Sequence, residues 1–278
     1  MPIERSAIER WLREDLGHHD VTNDVPGKAA GRLVAKESGV AAGIDAATGV
    51  FEYLDVTVED RISDGDPIES GDPLLRVSGP ASSVLRGERV AVNVAGHASG
   101  IATKTAAAVA AAREVSDSVA IAGTRKTTPG LRGLEKRAIA AGGGDTHRLD
   151  LSHMVMVKEN HIAELGVETA VRRFRERASF ATKIEVEAET AETATAAAEA
   201  GADIVLLDNM TPSETGAIVE RLPERVLTEA SGGIGIEDVP AYAASGVDIL
   251  SIGSLTHSAA ALDLSFRTGT EALGSETE

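Results

Sequence analysis

From Val119 onward the chain alternates between two hydrophobic patterns. Short apolar runs at Val119–Ala122, Met154–Val157, Lys183–Val186, Ile204–Leu207, Val226–Thr228 and Ile249–Ile252 read as strands. Between them, apolar residues recur at helical spacing over Leu131–Ala141, Val167–Arg177, Thr190–Ala200, Ser213–Arg221 and Ile236–Ala244. Strands that are apolar throughout are buried on both faces, so the pattern predicts a parallel sheet built from βα repeats. Six such strands in a regular rhythm predict a closed or nearly closed barrel rather than an open sheet.

The first third has a different texture and predicts a mixed α and β unit. An amphipathic helix is expected over about Glu4–Leu16, followed by the polar loop GHHDVTND. Strands are expected at Gly31–Ala35, Val40–Ala42, Val56–Val58 and Leu74–Val77, interrupted by a helix around Asp45–Leu54. Two Gly-Asp-Pro turns, at Gly65 and Gly71, punctuate a hairpin-like region. Such turns occur in carriers that present a modified lysine, but no lysine lies between Lys36 and Lys104. A long helix runs from Ser82 to Arg113, rich in small residues that permit close packing, with Arg86 and Arg89 about one turn apart on one side. The domain junction is expected near residues 105–118.

Composition narrows the class. The 278 residues contain no cysteine, which excludes disulfides, thiolate metal sites and a cysteine nucleophile. No apolar run approaches the roughly 20 residues of a membrane span. The opening residues read as an acid-bearing amphipathic helix rather than a targeting peptide, and a cytoplasmic enzyme is expected. The formal net charge of -17 argues against nucleic acid as a partner. It fits either an ordinary acidic protein or adaptation to a high-salt cytoplasm. The scarcity of lysine beside 44 acidic residues favours the second, because at about 1 M salt a Debye length of about 3 Å screens surface repulsion.

Against that background Gly123–His161 stands out. It carries Arg125, Lys126, Arg132, Lys136, Arg137, Arg148 and Lys158, with only Glu135, Asp145 and Asp150 as acids between the first and last of these. Cations held together cost free energy unless an anion offsets them, so a ligand with several negative charges is expected. The ends of the predicted strands agree. They are followed in turn by Arg125-Lys126, Lys158, Glu187, Asp208-Asn209, Ser231-Gly232-Gly233 and Gly253. In α/β barrels the site gathers at the C-terminal ends of the strands. The glycines let backbone N–H groups approach a phosphate, with a following helix favouring the anion. Glu187 and Asp208, on adjacent strand ends, suit Mg²⁺ held mainly through substrate oxygens, or support of a cationic sugar transition state. Glu185 alternates with Glu187 along one strand, and the pattern does not separate the two. His161 and His257 fit phosphate donors or structural residues equally well.

The segments TRKTTPGLRGLEKRAIAAGGGDTHR, VKENHI, IEVEAET, LLDNM, EASGGI and SIGSLTHS resemble, in order and spacing, the quinolinate phosphoribosyltransferases, the carboxylating nicotinate-nucleotide pyrophosphorylases. EDLGHHDVTND and GERVAVNVAGHASGIAT extend the resemblance over essentially the whole chain. The resemblance implies an N-terminal α/β sandwich domain, residues 1–112, and an incomplete six-stranded α/β barrel, residues 113–264, with the tail 265–278 packing on the first domain. It implies transfer of phosphoribosyl from phosphoribosyl pyrophosphate to quinolinate with decarboxylation, giving nicotinate mononucleotide for NAD synthesis.

Carried over by position, Arg125, Lys126, His147, Arg148 and Lys158 form the pocket for carboxylates and pyrophosphate. Glu187 and Asp208 face ribose and Mg²⁺, and Ser231, Gly232, Gly233 and Gly253 cradle the 5′-phosphate. Lys126, Glu187 and Asp208 are expected to bear on catalysis. Arg89 matches the arginine that a neighbouring subunit of a homodimer lends to the site. The chain departs from the family pattern at Gly123, at His153 and at Ala98. A related transferase acting on nicotinate or on a molybdenum-transport operon substrate, another phosphosugar barrel enzyme or a non-catalytic anion-binding module are the alternatives. The full set of cations and the Glu187/Asp208 pair argue against them.

Overall fold

A computed structural model describes residues 3–269, which form two compact units. In chain order the elements are α1 (Arg5–Leu16), β1 (Lys28–Ala35), β2 (Gly39–Val40), α2 (Ile44–Tyr53), β3 (Thr57–Arg61), β4 (Pro67–Ile68), β5 (Pro73–Pro80) and α3 (Ala81–Arg113). There follow β6 (Ala120–Ala122), α4 (Arg132–Ala141), β7 (Val155–Val157), α5 (Glu159–Leu165), α6 (Val167–Arg177), β8 (Ile184–Ala188), α7 (Ala191–Glu199) and β9 (Ile204–Asp208). The last are α8 (Pro212–Val219), β10 (Leu227–Ser231), α9 (Val239–Ala243), β11 (Ile249–Ser251), α10 (Ser254–His257) and β12 (Leu264–Thr268).

The first unit takes the chain up to Ala106, then Thr127–Gly143, and again from Ser258 onward. Its sheet has the order β12-β1-β5-β3, with antiparallel pairing throughout. Ile8 and Leu12 of α1, one turn apart, join a core containing Leu33, Phe51, Leu75, Ala91, Ala95, Ala98 and Ile101. The small residues of α3 serve the packing expected of them. At Gly100 a Cβ would stand 1.9 Å from the carbonyl oxygen of Ala260, so only glycine lets this returning segment lie against the helix.

The observed partition differs from a single cut after residue 112. Helix α4 has the amphipathic pattern of a barrel helix, yet Leu134, Ala138 and Ile139 are buried in the first unit's core. Hydrophobic periodicity fixes that a helix forms and which face it buries, not which core receives that face. The tail expectation falls partly on β12, which pairs with β1; residues 270–278 lie outside the described residues.

The second unit takes Ala107–Lys126 and Gly144–His257. Its sheet runs β6-β11-β10-β9-β8-β7, parallel at each junction. The ladder does not join β7 to β6, so this is an incomplete six-stranded α/β barrel. Residues alternate along the strands. Val186, Ala188, Val205 and Leu207 pack outward with Ala194, Ala197 and Val171 of the helices. Ala230 and Leu250 do the same with Val239 and Leu255. The other face carries Glu185, Glu187, Asp208, Glu229, Ser231 and Ser251. The predicted helix Ile236–Ala244 is shorter than expected: a 3₁₀ turn at Ile236–Asp238 leads into α9. Helix α5 and strand β12, both short, carry too little apolar pattern to have been expected.

Candidate active site

A cavity of about 380 Å³ opens at the C-terminal ends of the six parallel strands. It is lined after β6 by Thr124, Arg125 and Lys126, from the segment beside it by His147 and Arg148, and after β7 by Lys158. Glu187 lies one residue before the end of β8, Asp208 closes β9, and Glu229, Ser231 and Ser251 come from β10 and β11. Thus the five basic residues expected from sequence and both carboxylates, with Ser231, face one space.

Local hydrogen bonds place each group. The N–H of Asp145 donates to the Ile121 carbonyl at 2.7 Å and that of Gly123 to the Asp145 carbonyl at 2.9 Å, which ties the Asp145–Arg148 segment alongside β6. Asp145 Oδ1 then accepts the His147 N–H at 2.6 Å. His147 has φ 52, a left-handed conformation rare outside glycine, and such strain is retained at functional positions. The Thr256 hydroxyl donates to the Lys126 carbonyl at 2.7 Å, fixing the backbone from which that lysine extends. Within the first unit, the Thr128 N–H donates to the buried Glu135 at 3.1 Å, so the TRKTTP motif is held by two separate anchors.

The charges are unequal in exposure. Arg148 is 6% exposed; burial lowers its pKa from the ordinary arginine value, while Glu185 pulls the other way. Its Nη2 donates to Met156 Sδ at 2.8 Å. Lys158 is half exposed and forms an ion pair with Glu187. Asp208 is raised above the usual aspartate range, first by burial and then by the neighbouring Glu187 carboxylate. The Asn209 side chain donates to Asp208 at 2.7 Å.

The alternation that sequence could not resolve is clear here. Glu187 lies at the mouth, whereas Glu185 is fully buried one layer deeper, with neither carboxylate oxygen hydrogen-bonded among the described residues. Burial, and then the adjacent Glu229, push its pKa up to about 8. Glu229 was not expected, because VLTEAS reads as a continuous buried strand. The signal available was a charged residue two positions before Ser231, hence on the same face. His147 Nε2 lies 3.1 Å from Glu229 Oε2 and 3.7 Å from Glu185 Oε2. These three side chains are the group with metal-ligand spacing among the described residues. Arg148 already stands beside both carboxylates, so a divalent cation there would meet a charge that is already offset.

The expected glycines follow β10 and β11. Gly232 has φ 103 and Gly233 φ 65 in the turn after β10. A Cβ on Gly232 would meet Asn209 at 2.4 Å, so the turn demands glycine twice over. The Ser231 hydroxyl donates to the Ser251 carbonyl at 3.1 Å, joining the two strand ends. Gly253 sits beside the Lys126 side chain. The helical segments after β10 and β11 are short, so these turns offer an anion their backbone N–H groups more than a long helix dipole. His161 bonds the Lys158 N–H through Nδ1 at 3.0 Å and packs edge-on against Phe174, which is a structural role. Arg89 belongs to α3 of the first unit.

Comparison with known proteins agrees with this geometry. Residues 19–99 and 101–267 match the N-terminal and C-terminal domains, respectively, of the family described as quinolinate phosphoribosyl transferase. The chain is 42% identical over 268 residues to a protein of Methanothermobacter thermautotrophicus named "probable nicotinate-nucleotide pyrophosphorylase [carboxylating]", covering 93% of this chain and 96% of that one. It is 42% identical over 275 residues to the human nicotinate-nucleotide pyrophosphorylase [carboxylating], covering 96% and 92%. The crystal structure of NadC from Streptococcus pyogenes superimposes with a TM-score of 0.89 at 40% identity, covering 95% of each chain.

Proposed function

The chain belongs to the quinolinate phosphoribosyltransferase family, and on that premise we propose that it converts quinolinate and phosphoribosyl pyrophosphate into nicotinate mononucleotide, pyrophosphate and CO₂, in the cytoplasm, for NAD synthesis. The observation that carries the reading is the convergence of Arg125, Lys126, His147, Arg148 and Lys158 on one cavity. A dianion and a polyanion must meet there, and neither the mutual repulsion of the substrates nor that of the cations is tolerable without the other.

In this reading Arg125, His147 and Arg148 hold the two carboxylates of quinolinate, and Lys126 and Lys158 meet the pyrophosphate. The turns at Ser231-Gly232-Gly233 and Gly253 take the 5′-phosphate. The ring nitrogen forms its bond to C1′ as pyrophosphate departs, while Glu187 and Asp208 face the developing positive charge on the ribose. The ribosylated nitrogen is then cationic. It accepts the electron pair released as the adjacent carboxylate leaves as CO₂, and a proton replaces that group on the ring. Glu187 and Asp208 also fit Mg²⁺: two hard oxygen donors line one cavity, and the Glu187 carboxylate raises the cost of ionising Asp208. When bound, Mg²⁺ would neutralise charge on the leaving pyrophosphate. Homodimerisation, with Arg89 lent to the partner's site, completes the proposal.

The test is nicotinate mononucleotide release from quinolinate, phosphoribosyl pyrophosphate and Mg²⁺, with nicotinate as the control substrate. Product from quinolinate and none from nicotinate is expected. Turnover of nicotinate alone would assign the related transferase, and binding of phosphoribosyl pyrophosphate without any product would assign an anion-binding module. Running the assay at low and near-molar salt tests the reading of the acidic composition, which expects the higher activity at high salt.

A further inference from the structure

We infer that Glu229 is a positioning residue: its carboxylate holds the His147 ring in the orientation from which that ring meets the carboxylates of the substrate. The inference deepens the function proposed above and rests on it for the identity of the substrate.

Four observations lead to it. Glu229 lies in the middle of β10, between Leu206 of β9 and Ile249 of β11, where an apolar side chain would be far less costly to bury. It is fully buried, and its Oε1 has no hydrogen-bond partner among the described residues. Its Oε2 stands 3.1 Å from His147 Nε2, within hydrogen-bond reach. His147 in turn has both its backbone and its ring constrained, the first by the left-handed φ and the bond to Asp145, the second by this carboxylate.

A buried carboxylate with one oriented contact is a poor contributor to stability. It is well suited to fixing an imidazole. When Nε2–H donates to Glu229, the plane of the ring is set and a proton on Nδ1 is left to donate to a substrate carboxylate, so the ring no longer has to be ordered when the substrate arrives. Glu185, at 3.7 Å from the same nitrogen, is the more distant of the two carboxylates and lacks that bond. The part assigned to Glu229 is therefore not shared equally by the pair.

The experiment is a double-mutant cycle with Glu229→Gln and His147→Ala, read as separate KM values for quinolinate and phosphoribosyl pyrophosphate. Glu229→Gln keeps the shape and replaces an anionic, acceptor-only group by a neutral amide that no longer holds a proton on Nε2. In the presence of His147 it is expected to raise KM for quinolinate about tenfold or more, with KM for phosphoribosyl pyrophosphate changed less than about twofold. In the His147→Ala background the same substitution is expected to change neither value by more than about twofold. Equal effects in both backgrounds, or equal effects on both substrates, would overturn the inference.

A second readout needs no variant at the glutamate. In ¹⁵N-histidine spectra of the native protein, with the His147 signal assigned by its absence in His147→Ala, Nε2 is expected to carry a proton whether or not Nδ1 also does. A ring protonated on Nδ1 alone would refute the contact. Should the native protein fail to turn over quinolinate, the functional reading falls, while the ring measurement still decides the role of Glu229.

Discussion

Replacing Glu185 by glutamine is expected to stabilise the barrel unit at alkaline pH and to leave it nearly unchanged at pH 5. The carboxyl is completely buried, without a hydrogen-bond partner among the described residues, and beside a second buried acid. Its pKa rises from 4.5 to about 8 on folding. Between those values the folded protein binds more protons than the unfolded chain, so stability falls as the pH rises through that window and levels off above it. At about 1.4 kcal/mol for each pH unit, the loss amounts to about 3–5 kcal/mol by pH 9.

Glutamine has no proton to lose and escapes this cost. The difference in unfolding free energy between variant and parent is therefore expected to grow by that amount between pH 5 and pH 9. The one tryptophan, Trp11, belongs to the first unit, so its fluorescence reports the wrong transition. Urea unfolding followed by far-ultraviolet circular dichroism, with hydrogen exchange at the amides of β8 and β9, reads the right one. Parallel pH profiles for the two proteins would refute the reasoning, because they would show that Glu185 ionises alike in the folded and unfolded states.

Further outcomes follow from the same geometry. Lys126→Ala is expected to lower kcat/KM by about a hundredfold or more with the melting profile retained, as for loss of a group that meets transition-state charge; near-normal turnover would remove its assigned role. Gly232→Ala is expected to destabilise the protein by about 1–3 kcal/mol and to raise KM for phosphoribosyl pyrophosphate, since the new methyl meets Asn209 in a backbone conformation that resists any side chain; calorimetry and initial rates check both. Removal of divalent cations with EDTA is expected to abolish turnover, and readdition of Mg²⁺ to restore it; full activity in EDTA would discard the metal.

Much of this was legible in the sequence because two periodicities carry it. The six apolar runs identify the parallel strands, and the residues just beyond them identify the mouth of the barrel. Lys158, Glu187, Asp208 and Ser231 could all be read from position alone. The deeper layer could not. Glu185 and Glu229 sit inside the apolar runs, where a carboxylate interrupts the pattern without announcing which face it takes. His147 and Arg148 precede β7 rather than follow a strand. They reach the cavity only because Asp145 pairs beside β6, a tertiary bond with no local signature. The assignment of α4 failed as a prediction for a similar reason: its apolar face fits either core, and long-range packing chose the first.

The order of the strands also determines when the molecule can be finished. Strand β6 has its ladder partner in β11, and β1 gains its second neighbour only in β12. At about 5–20 residues per second, β6 leaves the ribosome roughly 6 to 26 s before β11 does. Contacts so far apart in sequence form late and slowly. Throughout that interval Arg125 and Lys126 hang from a strand with an open edge. A chain stopped short of Ile249 keeps most of its residues and loses the seat of its first two cations, and one stopped short of Leu264 leaves β1 exposed along one side. Both are edges on which unfinished chains can pair with one another, so the last 21 described residues, 249–269, decide whether a nascent chain matures or aggregates.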